Sequence, residues 1–187
     1  MIQLLGMQVP AALLGDLAVH LAEAFLMECR VRPQHLDPAF AYDRNRNQYY
    51  STAILQSMQP LVENGTRLLA VTSVDLYVPV LTFVFGEAQL NGSCALVSTH
   101  RLHEEFYGLP PRPGLMHERL VKEAVHELGH TFGLRHCDDW RCVMTSSYGV
   151  ERVDVKDVGF CTACVRIVRS SLNQAPASAG CQETFYK

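Results

Sequence analysis

The sequence predicts one α/β (α+β) domain with a twisted, mixed sheet that is mostly parallel and has an antiparallel edge strand. Apolar runs at residues 2–9 and 68–72 are separated by helical segments, and a helical crossover joins parallel strands. The dipeptide Asn91-Gly92 stands between two further apolar runs and indicates a hairpin, which makes one strand antiparallel. The chain has 187 residues, 48% of them apolar, which suits a single hydrophobic core.

The first half of the chain is predicted to alternate between strands and helices. The strand at residues 2–9 stops before Pro10, which suits the first turn of a helix that runs to about residue 29. Residues 31–46 carry two prolines and scattered charges and are predicted to form a loop. A second helix is predicted over residues 47–63, and the strand at 68–72 follows it.

The second half is predicted to hold the hairpin, a long helix and a small final region. Residues 81–89 and 93–100 form the two strands of the hairpin. A loop rich in proline and glycine at residues 106–114 leads into a long helix over residues 116–132. A short helix is predicted at residues 162–169, and a polar tail follows it.

This order divides a single domain, residues 1–187, into three parts. Residues 1–133 form an N-terminal subdomain with the sheet and the long helix. Residues 134–169 form a small C-terminal subdomain, whose loop at 137–160 is rich in polar and turn-forming residues and is expected to need a metal for its order. Residues 170–187 form the tail.

The long helix ends in the segment His126-Glu127-Leu128-Gly129-His130-Thr131-Phe132-Gly133-Leu134-Arg135-His136. On a helix, His126 and His130 project from one face and can bind one metal ion. Glu127 is rotated by about 100° from His126, which keeps it off the metal but within reach of a water on it. Gly133 allows the chain to turn and bring back His136 as a third ligand. Three histidines leave the fourth position of zinc open, as in catalytic zinc sites.

Four cysteines follow this segment at ligand spacing. They form a C-x4-C pair and a C-x2-C pair, namely Cys137 with Cys142 and Cys161 with Cys164. Four thiolates close the tetrahedron of a structural zinc site, and disulfides are the main alternative. The remaining three are Cys29, Cys94 in an apolar strand, where it is expected to fill the core, and Cys181 in the tail.

Composition limits the partners and the compartment. The net charge is −3 and no long basic run occurs, so neither nucleic acid nor an anionic membrane is expected as a partner. The first residues lack a basic region and a sustained apolar stretch, so no signal peptide is predicted and the protein is expected to be cytoplasmic. It is also expected to be a monomer. Thiols stay reduced in the cytoplasm, which favours metal thiolates over disulfides.

The stretch HELGHTFGLRHCDDWRCVM with the later FCTAC resembles the archaemetzincins, a family of metzincin zinc peptidases. The resemblance is densest over residues 126–164 and looser upstream. It implies a metzincin-like zincin domain with two zinc ions. The implied ligands of the catalytic zinc are His126, His130 and His136, with Glu127 as the general base. The implied ligands of the structural zinc are Cys137, Cys142, Cys161 and Cys164.

The resemblance also implies a methionine turn and a substrate strand. Met144 corresponds to the methionine of the turn beneath the active site. In metzincins an antiparallel edge strand lines the substrate cleft, and the candidate here is Thr82, Phe83, Val84, Phe85 and Gly86. The same apolar run is equally consistent with plain core.

The resemblance implies hydrolysis of peptides or proteins, although the residues alone do not distinguish an amide from an ester substrate. In this reaction Glu127 would take a proton from the attacking water. The alternative is an inert or narrowly specific zinc-binding protein that recruits a partner through residues 137–160. A third hypothesis is a zinc hydrolase for a small non-peptide substrate. Glu123, one turn before Glu127, is a candidate for a supporting contact behind the site, although such a residue is usually solvated. Tyr148, four residues after Met144, is a candidate oxyanion donor.

Overall fold

The computed structural model describes residues 1–173 and 185–186. Its helices and strands follow in chain order: β1 Ile2–Met7, α1 Ala11–Phe25, β2 Cys29–His35, β3 Tyr42–Asp43, β4 Gln48–Tyr50, α2 Ser51–Met58, β5 Arg67–Thr72, β6 Leu76–Tyr77, β7 Gly86–Gln89, β8 Cys94–Ser98, α3 Pro113–Thr131, α4 Val150–Val155, α5 Thr162–Asn173 and β9 Phe185–Tyr186.

The main sheet has six strands in the order β2-β1-β5-β8-β7-β9. Strands β1, β2, β5 and β8 are parallel, whereas β7 is antiparallel to both of its neighbours. The predicted mixed, mostly parallel sheet is therefore confirmed. A second, three-stranded sheet with the order β3-β4-β6 lies beside it.

Alternate residues of the strands feed two separate cores, one on each face of the sheet. Helices α1 and α3 pack on one face, where Leu4, Leu69 and Val97 are buried. Helix α2 packs on the other face, where Leu5 and Leu68 are buried. This period-two division is what a sheet covered on both faces requires. Among the described residues, no helix is both long and apolar enough to cross a membrane.

The region after α1 differs from the prediction. The helix ends at Phe25 rather than near residue 29, and residues 29–35 form strand β2 instead of a loop. β2 lies at the edge of the sheet and is mostly exposed, so its sequence lacks the apolar run of a buried strand. The second helix starts at Ser51 rather than at residue 47 because residues 48–50 pair with β6 as strand β4.

The predicted strand at residues 81–89 is also shorter than expected. It begins only at Gly86, and of the residues before it Val84 forms an isolated bridge to Leu76. Arg46 donates hydrogen bonds of 2.8 and 3.2 Å to the carbonyls of Leu81 and Thr82. These long-range side-chain contacts hold the segment out of the ladder, and local sequence carries no signal for them.

Strand β7 is not the outermost strand of the sheet. The tail returns as β9 and pairs antiparallel with β7, Ala88 opposite Tyr186 and Gln89 opposite Phe185. The predicted edge strand is thus the penultimate one. The tail was expected to be a polar extension without a strand, so this pairing corrects the prediction for residues 185–186.

The C-terminal subdomain is more ordered by protein contacts than the sequence predicts. The supposed loop at 137–160 contains helix α4, and Val143, Met144 and Val153 within it are fully buried. Helix α5 is longer than the predicted 162–169 and extends to Asn173. Residues 137–160 are polar on average, but Val143, Met144 and Val153 belong to the hydrophobic core that includes residues of α3.

Candidate active site

Helix α3 and the turn after it bring the three predicted histidines together. The side-chain nitrogens of His126, His130 and His136 all lie within 4.8 Å of one another. His126 and His130 are one helical turn apart on α3, and their Nε2 atoms are 3.1 Å apart. Gly133 has a φ of +89°, a left-handed conformation that suits glycine, and this turn returns the chain so that His136 faces the helix.

Backbone carbonyls fix the orientation of both helical histidines. The Nδ1 of His126 lies 2.8 Å from the carbonyl oxygen of Val143, and the Nδ1 of His130 lies 2.7 Å from that of Leu134. With the proton on Nδ1 in each ring, the Nε2 lone pairs are left for a metal ion. Burial lowers the pKa of His126 and His136 and that of His130 to about 4, so the rings are neutral, as ligands must be.

Glu127 is buried beside the histidines. Its Oε2 atom is buried and has no hydrogen-bond partner among the described residues. Burial raises the pKa of Glu127 well above its usual range; Glu123 adds to this effect and Lys156 opposes it. A metal cation at the histidines also opposes it, because positive charge favours the carboxylate. A buried carboxyl group with a raised pKa, next to a cluster of possible metal ligands, has the properties of a general base or acid.

Gly86, the last residue of the predicted substrate strand, lies against Glu127. A Cβ atom at Gly86 would lie 2.6 Å from Cγ of Glu127 and 2.5 Å from the carbonyl oxygen of Leu96. Only a glycine permits this approach. Phe83 and Phe85 pack edge to face with ring centroids 5.2 Å apart, and the isolated bridge at Val84 continues the segment toward β6. The role of this segment in binding substrate stays a prediction.

The four predicted cysteines form a second cluster. The sulfurs of Cys137, Cys142, Cys161 and Cys164 lie within 4.8 Å of one another. The backbone N–H of Cys161 points at the sulfur of Cys142 at 3.3 Å. Burial raises the pKa of Cys142 and of Cys164, whereas the backbone N–H of Cys164 lowers the pKa of Cys161. Four converging sulfurs with N–H groups aimed at two of them fit a tetrahedral zinc site.

Met144 packs against helix α3 at Gly129. Its side chain is fully buried, and its sulfur lies 2.5 Å from the point that a Cβ atom on Gly129 would occupy. Gly129 is the residue just before His130, so the methionine packs on the turn of α3 that carries His130. Its assignment as the methionine of the turn beneath the active site stays a prediction.

The other candidates have different fates. Glu123 is buried and pairs with Lys156, a partner that sequence reasoning missed because no spacing rule links the two positions. Tyr148 is 84% exposed, and its role stays a prediction. Cys94 is buried in β8 as expected, and burial raises the pKa of its thiol to about 12. Cys29 is half-buried in β2, and Cys181 lies outside the described residues.

Comparison with known proteins agrees with this geometry. The model of peptidase family M54 matches residues 38–170. An archaemetzincin of Methanocaldococcus jannaschii is 47% identical over 138 residues, which is 74% of this chain and 75% of the relative. An archaemetzincin of Methanopyrus kandleri is 42% identical over 156 residues, which is 83% of this chain and 85% of the relative.

Solved structures share the fold over nearly the whole chain. The crystal structure of archaemetzincin from Methanopyrus kandleri has a TM-score of 0.82 at 37% identity and covers 93% of this chain and 96% of that chain. The structure of a zinc-dependent peptidase from Methanocorpusculum labreanum has a TM-score of 0.82 at 30% identity and covers 90% and 100%.

The family match and the solved structures place the chain among the metallopeptidases, and α3 with its two histidines and buried glutamate is the candidate active site. Within that class, the chain belongs to peptidase family M54, the archaemetzincins.

Proposed function

We propose that this protein is a zinc-dependent metallopeptidase that hydrolyses peptide bonds with Glu127 as the general base. The observation that carries the proposal is the juxtaposition on one helix of a convergent histidine cluster and a buried carboxylate oxygen without a partner among the described residues. A purely structural metal site has no use for such a base. The zinc-dependent peptidase of Methanocorpusculum labreanum supports the choice of metal.

The residues divide the work between holding and proton transfer. His126, His130 and His136 would hold the catalytic zinc, which supplies a Lewis acid that polarises the scissile carbonyl and acidifies water. Glu127 accepts the proton of the attacking water and passes it to the leaving amine. Its burial favours the protonated state between these two transfers, so the carboxyl group can act first as base and then as acid.

The four cysteines would hold a second zinc with a structural role. Four sulfur ligands leave no open position for water or substrate, which separates this site chemically from the histidine site. The backbone N–H bonds to sulfur described above stabilise thiolate ligands without adding any group that can donate or accept a proton in catalysis.

The test combines metal analysis with a survey of substrates. Purified protein should hold two zinc ions per chain, and X-ray absorption should show both nitrogen ligands near about 2.0 Å and sulfur ligands near about 2.3 Å. The same sample should cleave members of a proteome-derived peptide library, and Glu127→Gln should cleave none at a comparable rate.

Two results would contradict the proposal. A single zinc with only nitrogen or oxygen ligands would remove the cysteine site. A clean negative in the peptide library with both zinc ions bound would favour the alternative, a zinc-containing module that binds a partner, or a hydrolase for small non-peptide substrates.

A further inference from the structure

Helices α3 and α4 meet along a row of charged side chains, which we call the α3–α4 seam: Arg119, Lys122, Glu123, Asp154 and Lys156. All but Asp154 are buried; the side chain of Asp154 is 34% exposed, and Lys156 directly follows α4. Arg119 binds Asp154 through two hydrogen bonds of 2.6 and 2.7 Å. The Nζ of Lys122 donates to the carbonyl of Asp154 at 3.1 Å. The Nζ of Lys156 lies 2.7 Å from Oε1 of Glu123. None of the five takes part in the proposed chemistry.

The pair formed by Lys156 and Glu123 is the most deeply buried part of this seam. The side chain of Lys156 is 0% exposed and that of Glu123 is 4% exposed. Removing two charges from water is costly, and apolar residues of similar size often stabilise a fold as well as a buried pair does. A contribution to stability is therefore a weak explanation for this buried pair. The further contacts of Lys156 indicate that the pair positions a neighbouring segment.

The further contact of Lys156 reaches the turn that supports the histidine site. Its Nζ lies 3.4 Å from the carbonyl oxygen of Thr145. Thr145 is the last of three consecutive residues whose carbonyls take three different partners. The carbonyl of Val143 contacts the Nδ1 of His126 at 2.8 Å, and that of Met144 accepts the backbone N–H of Cys137 at 3.0 Å.

These contacts form a closed loop of interactions that begins and ends on α3. Glu123 and His126 lie one turn apart on the helix. Glu123 forms an ion pair with Lys156, and Lys156 donates to the carbonyl of Thr145. Two residues before Thr145, the carbonyl of Val143 contacts the Nδ1 of His126. We propose that Lys156 and Glu123 are positioning residues that set the distance between residues 143–145 and α3, and thereby the orientation of His126 toward its metal.

The cost of losing this tie follows from what a ligand loses with its orienting hydrogen bond. Removing the group that orients a metal-binding histidine weakens metal affinity by about 10- to 100-fold. Here the orienting group is a backbone carbonyl, which no side-chain substitution can delete. Displacing residues 143–145 through the buried pair is the available way to weaken it.

The decisive variant is Glu123→Leu combined with Lys156→Met. It replaces both charges with apolar side chains of similar length, so it leaves no buried charge unpaired and allows the fold to persist. Zinc affinity of the histidine site, measured by competition with a chelator of known affinity, should fall about 10- to 100-fold. In the metal-free protein, the amide of Cys137, which bonds the carbonyl of Met144, should exchange its hydrogen faster.

The matched control is Asp154→Asn. It breaks the ion pair with Arg119 in the same seam, yet Asp154 has no contact with residues 143–145 among the described hydrogen bonds and ion pairs. It should lower thermal stability while zinc affinity stays at the wild-type value. The reversed pair, Glu123→Lys with Lys156→Glu, restores the attraction, but a carboxylate at position 156 cannot donate to Thr145. It should therefore recover stability without recovering zinc affinity.

Three results would overturn the inference. They are wild-type zinc affinity in the apolar double variant, an equal loss of affinity in Asp154→Asn, and full recovery of affinity in the reversed pair. Any of them would make the pair a purely structural contact. The zinc measurements do not depend on the proposed peptidase activity, so an absence of peptide cleavage would contradict that proposal and leave this one standing.

Discussion

The histidine cluster and the cysteine cluster are neighbours in the chain, since His136 precedes Cys137, but they are built in different ways. Two of the three histidines share one helix, and protein carbonyls fix their rings. The four cysteines come from three separate segments: residue 137, residue 142, and residues 161–164. Cys137 and Cys161 have sulfurs 3.8 Å apart.

The protein fold itself sets the geometry of the histidine cluster, whereas the cysteine cluster is expected to need a metal ion to complete its geometry. A 19-residue helix packed on the sheet holds His126 and His130 in place before any ligand arrives. The cysteines come from segments that are far apart in the subdomain, so a shared metal ion would stabilise their arrangement most. The free energy of metal binding then contributes to the free energy of folding. The histidine cluster is thus expected to keep its structure after loss of metal better than the cysteine cluster.

The largest effect is expected from Glu127, because the chemistry should reside only in the histidine half. Glu127→Gln should lower kcat by about 10²- to 10⁴-fold, since general acid–base transfer contributes roughly that much. Zinc content should remain at the wild-type level because Glu127 is proposed as base and not as ligand. The measurement is steady-state cleavage of a peptide identified in the library, together with metal analysis.

Glu118→Gln is the control for this variant. Glu118 lies on the same helix, but its side chain is 59% exposed and pairs only with Lys122 among the described ion pairs. Its loss should leave kcat unchanged. If Glu127→Gln keeps wild-type turnover, another group activates the water and the assignment of the base is wrong.

The next effect tests whether the sheet side of the site also sets its geometry. Gly86→Ala places a methyl group against Glu127 and the carbonyl of Leu96, so the carboxylate must move. A displacement of about 1 Å costs up to about 100-fold in rate, and kcat should fall accordingly with zinc content unchanged. Gly114→Ala is the matched control, because a Cβ there meets nothing within 4 Å. Equal kinetics for the two variants would show that the contact is without consequence.

The third effect tests the coupling between the two clusters directly. Cys161→Ser and Cys164→Ser should weaken zinc binding at the histidine site by about 10- to 100-fold, because the cysteine site supports the segment that starts at His136. Chelator competition measures it. Cys29→Ser, in the edge strand β2, should have no effect. Wild-type affinity in both cluster variants would show that the two sites are independent.

The smallest effect concerns the protein without metal. Hydrogen exchange after chelation should accelerate at the amides of Cys142 and Cys161, which lie within the cysteine cluster, while α3 keeps its protection. Residues 150–155 should also stay protected, because α4 is held by the ion pairs of the α3–α4 seam and not by sulfur. Uniform loss of protection across the whole C-terminal subdomain would contradict this division.

The sequence predicts those parts of the molecule in which local spacing determines the structure. The clustering of the three histidines, the turn at Gly133 and the clustering of the four cysteines were predicted from the sequence, because metal ligation requires fixed spacings on a helix or in a turn. The parallel relation of β1 and β5 and the hairpin at Asn91 follow from similarly local signals.

The parts that were missed depend on partners far away in the chain. Strand β2 exists because β1 offers it an edge, and residues 81 and 82 are held by Arg46 from a distant hairpin. Helix α4 and the Lys156–Glu123 pair depend on packing against α3, which no local spacing in the sequence indicates. The polar composition of this region indicates a solvated loop, whereas the structure gives Lys156 a buried partner in Glu123.

The seam also gives the molecule a built-in chemical reporter. The sequence contains only three lysines, and the two within the described residues, Lys122 and Lys156, both lie in the seam with side chains 5% and 0% exposed. An acylating reagent attacks an amine only when it is unprotonated and accessible, so both are shielded while α3 and α4 stay together. The rate of acylation at these two positions, followed by mass spectrometry, is therefore a clock for the separation of the two helices.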